Sequence, residues 1–166
     1  MGHPKVAAAA CLLLASLATG CASLRWSVQK AARKEGARLA EFPEAVAEQY
    51  GCAKRRLPFF AIERSEIVPP RVRAGGEFNH RLVTVLCPAE PTGVEVGRLV
   101  ETIRFRGRVL HGETREGFEI RPGRWVFDAF VELPPDAEPG VYAYELRFEG
   151  PGVSFAESWS FAVEKR

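Results

Sequence analysis

From residue 57 onward, apolar and polar positions trade places with a period of two. Trp125, Phe127, Ala129, Val131 and Leu133 alternate with Val126, Asp128, Phe130 and Glu132. Tyr142, Tyr144, Leu146 and Phe148 alternate with Ala143, Glu145, Arg147 and Glu149, and Val153, Phe155, Trp159, Phe161 and Val163 form a third row. A strand sends successive side chains to opposite faces, so each row predicts an antiparallel strand with one buried and one wetter side. Residues 59–68, 78–87, 99–106 and 109–120 extend the set. Pro58, Pro69, Pro70, Pro88 and Pro91 punctuate these segments, since proline is confined to strand ends and edges. About seven short strands over residues 57–166 predict a mainly β, two-sheet sandwich.

Upstream the period is helical. In residues 42–56, Pro43 suits a first helical turn, Glu44 its N-terminal end, and Gly51 its end. Val46 and Tyr50, four apart, point the same way, so a short helix is expected to pack both on the sandwich. Residues 21–41 are rich in Ala, Lys, Arg and Glu but carry no apolar stripe, and Gly36 interrupts them. They read as a partly helical tether. Trp26 and Val28 offer too little apolar face for a membrane-lying helix.

The first twenty residues follow another pattern. A short positive start ending at Lys5 precedes an uncharged apolar run over residues 6–17, which is closed by Ala18-Thr19-Gly20-Cys21. This is the layout of a secretory signal, and its apolar run is shorter than the roughly 20 residues a bilayer span needs. Leu17 to Cys21 resembles the lipobox of bacterial lipoproteins, with Ala18 where Leu is more usual. The resemblance implies removal of residues 1–20, acyl chains on Cys21 and a membrane partner. Each buried methylene of such an anchor contributes about 0.8 kcal/mol. By analogy with Gram-negative lipoproteins, Ala22 implies the outer membrane, facing the periplasm or the cell surface.

A second resemblance covers residues 133–142. Leu133-Pro134-Pro135-Asp136-Ala137-Glu138-Pro139-Gly140-Val141-Tyr142 is similar to the corner before the penultimate strand of immunoglobulin-like and fibronectin-like domains. It implies an immunoglobulin-like sandwich in which the Tyr142 hydroxyl returns to backbone just upstream. Such a likeness speaks of architecture and not of function.

Once Cys11 leaves with the signal and Cys21 carries lipid, Cys52 and Cys87 remain. In an oxidising compartment they form a disulfide, contributing about 3–4 kcal/mol on the chain-entropy model, or stay as two buried thiols. Charge excludes little but decides one class. Without Lys5 the 23 basic residues become 22, against 21 acidic ones, which is no footprint for nucleic acid.

Candidate chemistry is thin. His80 shares the side of Phe78 and Leu82 and reads as structural; His111, beside Gly112, reads as solvated near a hairpin. No GxSxG elbow or zinc spacing occurs, and Glu113, Glu116 and Glu119 read as hairpin charges. No metal or cofactor and no enzyme is expected. Lys54-Arg55-Arg56 and the pair Arg71 and Arg73 add basic residues around the first strand, and Arg104, Arg106 and Arg108 alternate along one strand side. That last row is a possible surface for an acidic or phosphate-bearing partner. The leading expectation is a non-enzymatic envelope lipoprotein whose sandwich is an interaction or accessory module for another envelope protein. A module binding glycans or lipid headgroups is the alternative, and it needs Trp26, Trp125 or Trp159 exposed beside a groove.

Overall fold

Phe78, His80, Leu82 and Leu86 leave one side of a central strand and meet Tyr144, Leu146 and Phe148 from a facing one. The alternation therefore does what it predicts, and two sheets share an interior. The computed structural model describes residues 26–90 and 93–165. The chain divides into two units, residues 1–34 and 35–166. In the first, residues 26–31 are helical, closed by Ala32 and Arg33 N–H groups donating to Gln29 and Lys30 carbonyls. The lipobox lies outside the described residues.

The second unit is the sandwich. One sheet has four strands in the order β1 (Gly36–Glu41), β7 (Gly123–Glu132), β4 (Glu77–Cys87) and β2 (Phe59–Val68). The other has five, in the order β3 (Arg71–Arg73), β9 (Ser154–Glu164), β8 (Gly140–Glu149), β5 (Glu95–Phe105) and β6 (Arg108–Ile120). Every pairing is antiparallel except the short β3–β9 contact.

Among the described residues nine strands replace the expected seven or so. The additions are β3, three residues beyond Pro70, and β1, which takes the last six residues of the segment read as tether. Ala37, Leu39 and Ala40 favour a helix locally, but pairing of Ala37 with Phe127 and of Leu39 with Trp125 overrides that preference. The sandwich thus begins well before residue 57.

The expected helix is present as α1 (Pro43–Tyr50), with Pro at its first turn. Gly51, at φ 60°, ends it in the left-handed conformation glycine adopts freely, and its N–H meets the carbonyls of Ala47 and Glu48. Val46 is buried with Val85, Cys52 and Cys87 on the outer face of the four-stranded sheet, and Tyr50 and Phe59 pack around them. Cys52 and Cys87 are disulfide-bonded with Cα atoms 5.9 Å apart, fixing the end of the helix to the end of β4. At the far corner the Tyr142 hydroxyl donates to the Glu138 carbonyl at 2.8 Å. Gly140 makes that turn, where a Cβ would sit 2.7 Å from the Phe105 ring.

Candidate functional site

The edge strands β1 and β6 lie on the same side of the sandwich, and there the two sheets do not close. Pairing explains why. His111, Glu113 and Arg115 of β6 stand opposite Ile103, Glu101 and Leu99, whose row points inward. The inner face of β6 is therefore polar over its middle. Burying it without partners would be unfavourable, so it stays in water. Across the gap, Ala37 and Leu39 of β1 remain exposed.

A cavity of about 420 Å³ fills this gap between the sheets. Leu82, Leu99, Phe118, Ile120, Phe127 and Phe155 give it an apolar wall, with His80 and Thr84 from β4. A second hollow, about 780 Å³, continues along β5 and β7 to Leu133 and Tyr142. The two share Gly36, Glu101, Arg115, Asp128 and Ala129, so they form one cleft.

Two ion pairs lie along the wall of the first hollow. Arg115 pairs with Glu101 and stands 3.6 Å from Glu113, with its guanidinium 5.9 Å from the centre of the Phe118 ring. Arg121 pairs with Glu119 at 2.9 Å and lies 5.5 Å from the centre of the Trp125 ring. The Trp125 Nε1–H donates to the Pro122 carbonyl at 2.8 Å, which leaves the half-buried ring along the cleft wall.

His80 sits at the bottom, its ring centre 5.0 Å from that of Tyr144 and 4.3 Å from that of Trp159. Its Nε2 is buried with no hydrogen-bond partner among the described residues. Burial, only partly opposed by the Asp128 carboxylate, lowers its pKa to about 4, so the ring is neutral at physiological pH. The Tyr144 hydroxyl also has no partner of normal geometry among the described residues. Burial first, and then the nearby Glu101 carboxylate, push its pKa well above the ordinary tyrosine value.

Asp128 lies behind this wall. Phe127 and Ala129 point inward, so its side chain points to the outer face. There Arg81 meets it at 2.8 and 2.9 Å and Arg38 at 2.6 Å. Burial would raise its pKa, but hydrogen bonds from Arg81 and Arg38 outweigh that and hold it below the usual carboxylate value. The cleft thus brings His80 together with Glu101, while Asp128 is committed elsewhere. Among the described residues no group of three or more His, Cys, Asp or Glu is placed to hold a metal ion.

The expected arginine row needs correction. Arg106 and Gly107 turn the chain between β5 and β6, with Arg106 at φ 50°. Arg104 therefore pairs with Glu145 at 2.8 Å on the outside of the sheet, and Arg106 with Glu138 at 3.3 Å. Arg108, opposite the inward Phe105, lines the second hollow. Three residues read as one strand face are split by a turn over two faces. His111 is exposed within β6 rather than at its hairpin, and Trp159 is half-buried against both halves of the core. Glu101 and Arg115 escaped the sequence reading. The signal was present, because a carboxylate between Leu99 and Ile103 occupies an inward position.

No protein-family model matches the chain, and no curated protein is similar to it. Among solved structures, the sporulation control protein Spo0M of Bacillus subtilis is 15% identical with a TM-score of 0.47, over 63% of this chain and 49% of that one. The C-terminal domain of Wzt is 16% identical with a TM-score of 0.46, over 80% of this chain and 83% of that domain. The CARDB domain of a Pyrococcus furiosus protein is 12% identical with a TM-score of 0.44, over 64% and 89%. The chain thus spans about half of the first of these proteins. What the chain itself has is a β-sandwich of a four-stranded and a five-stranded sheet, open along one side.

Proposed function

We propose that the chain is a non-enzymatic cell-envelope lipoprotein, held by lipid on Cys21, whose β-sandwich is an interaction or accessory module for another envelope protein. The observation that carries the interaction reading is β6. It ends its sheet, pairs among the described residues with β5 alone, and is exposed along almost its whole length. A free strand edge offers a row of backbone donors and acceptors to a partner's strand. Val109 and Leu110, each 53% exposed, would supply apolar contact beside it.

A photo-crosslinking residue at position 110, compared with one at exposed position 141 on β8, tests the edge in cells. One defined adduct at 110 and none at 141 is expected; equal capture at both positions, or none, would sink the reading. Intact mass tests the anchor separately. Loss of residues 1–20 with added acyl mass is expected, and Cys21→Ser should abolish both.

The glycan or lipid-headgroup reading keeps one specific support, the half-buried Trp125 ring along the cleft. Binding of envelope polysaccharide that Trp125→Ala removes would favour it over the edge reading.

A further inference from the structure

We propose that residues 22–34 adhere to an anionic phospholipid surface, by charge rather than by insertion. The inference rests on the lipid anchor at Cys21, which brings this segment to a bilayer but does not by itself make it adhere.

The charge of the mature chain is unevenly placed. Residues 22–34 hold four basic side chains, Arg25, Lys30, Arg33 and Lys34, and no acidic one. Residues 35–166 hold 18 basic against 21 acidic side chains, a net charge of −3. The near neutrality of the whole therefore conceals two segments of opposite sign. They meet where the structure divides, because the first compact unit ends at Lys34 and the second begins at Glu35.

Lys30 and Lys34 are exposed, and Trp26 is half-buried. Trp26 and Lys30 stand four apart within the helical residues 26–31, so an indole and an ammonium share one side. Indole rings gather at the level of lipid headgroups, and ammonium groups pair with their phosphates. Val28 adds too little apolar surface for the segment to insert. Charge is left as the attraction. Near an anionic bilayer each Lys or Arg favours adsorption by about fivefold, within a screening length of about 8 Å at physiological ionic strength. Acyl chains on Cys21 would hold residue 22 at that surface, so the basic groups act at high effective concentration. The sandwich, with its net negative charge, gains nothing from the same surface, so adhesion should stop at the boundary between the units.

The test uses the acylated chain carrying Ala32→Cys, an exposed and uncharged position, labelled with the polarity-sensitive dye acrylodan. Cys52 and Cys87 are bonded to each other and Cys21 is acylated, so the dye has one thiol to take. Its emission should shift to the blue on vesicles of phosphatidylcholine mixed with phosphatidylglycerol, relative to phosphatidylcholine alone. The shift should vanish in about 0.5 M sodium chloride, where screening acts within a few ångström. Lys30→Glu with Lys34→Glu, which brings residues 22–34 to zero net charge, should also remove it. The same dye on Val141→Cys, an exposed position of the sandwich, should not shift.

Equal emission on the two kinds of vesicle would overturn the proposal. So would a shift that survives salt or the double variant, or one of equal size at position 141. A shift produced by inorganic phosphate at matched ionic strength would assign the charges to a free anion and not to a surface. Flotation and intact mass report the anchor separately. A chain with acyl mass that floats with both vesicles but shows no shift keeps the anchor and loses the adhesion. A chain without acyl mass that floats with anionic vesicles alone keeps the adhesion and loses the anchor; flotation with neither loses both.

Discussion

Arg81 and Asp128 face each other in register on β4 and β7, and the guanidinium gives the carboxylate two hydrogen bonds, at 2.8 and 2.9 Å. Arg38 adds a third from β1, and the Asp128 side chain is left with 0% exposure. One buried anion thus joins three strands of one sheet.

Asp128→Ala should destabilise the sandwich by about 3 kcal/mol, because removing one member of a buried pair strands the other. Urea denaturation would measure it as a lower midpoint with an unchanged slope. Arg38→Ala should have a smaller effect, since its side chain is 39% exposed and Arg81 still holds the carboxylate.

His80 makes stability depend on pH in a separate window. Its folded pKa is about 4 against an ordinary value of 6.5, so between these values the unfolded chain binds a proton that the folded one does not. Stability is therefore complete above pH 6.5 and falls as pH drops towards 4, by about 3 kcal/mol in all, then levels off for this group. In His80→Phe the thermal midpoint should lose this dependence. Asp128 acts lower: its folded pKa lies below its ordinary 3.8, so its contribution fades only in stronger acid.

Reducing the Cys52–Cys87 bond should lower stability by about 3–4 kcal/mol on the chain-entropy model, close to the loss in a Cys52→Ala, Cys87→Ala double variant. Circular dichroism should stay β-rich through the change, because Val46 and Val85 keep the helix packed on the sheet.

Tyr142→Phe should remove the hydrogen bond to the Glu138 carbonyl while leaving the ring on Phe105 and Phe161. A loss of about 1 kcal/mol in equilibrium unfolding is expected, the usual size for one such bond.

How much of this was legible in the sequence depends on how local the cause is. The row Trp125, Phe127, Ala129 and Val131 gave away its strand because period two is written residue by residue. The Val46–Tyr50 helix was readable from spacing within a few residues, and the Tyr142 corner from the resemblance of residues 133–142 to immunoglobulin-like domains. β1 was hidden, because Ala37, Leu39 and Ala40 become a strand only through partners on β7. The split of Arg104 from Arg108 turned on two residues, Arg106 and Gly107, that look like strand until the chain reverses. The cleft is the least local feature of all. It depends on which edges of two sheets come to face one another, and only Glu101, charged at an inward position, hinted at it.

The strand that bounds the cleft is secured along one margin. Among the described residues β6 is bonded to β5 and to nothing beyond it, whereas β4, β7 and β8 are flanked on both sides. Small local openings are cheapest where fewest bonds must break, so β6 amides should trade their hydrogens with solvent sooner than those of the central strands. The sheets should therefore hold longest at their central strands and yield first along β6, at the rim of the cleft.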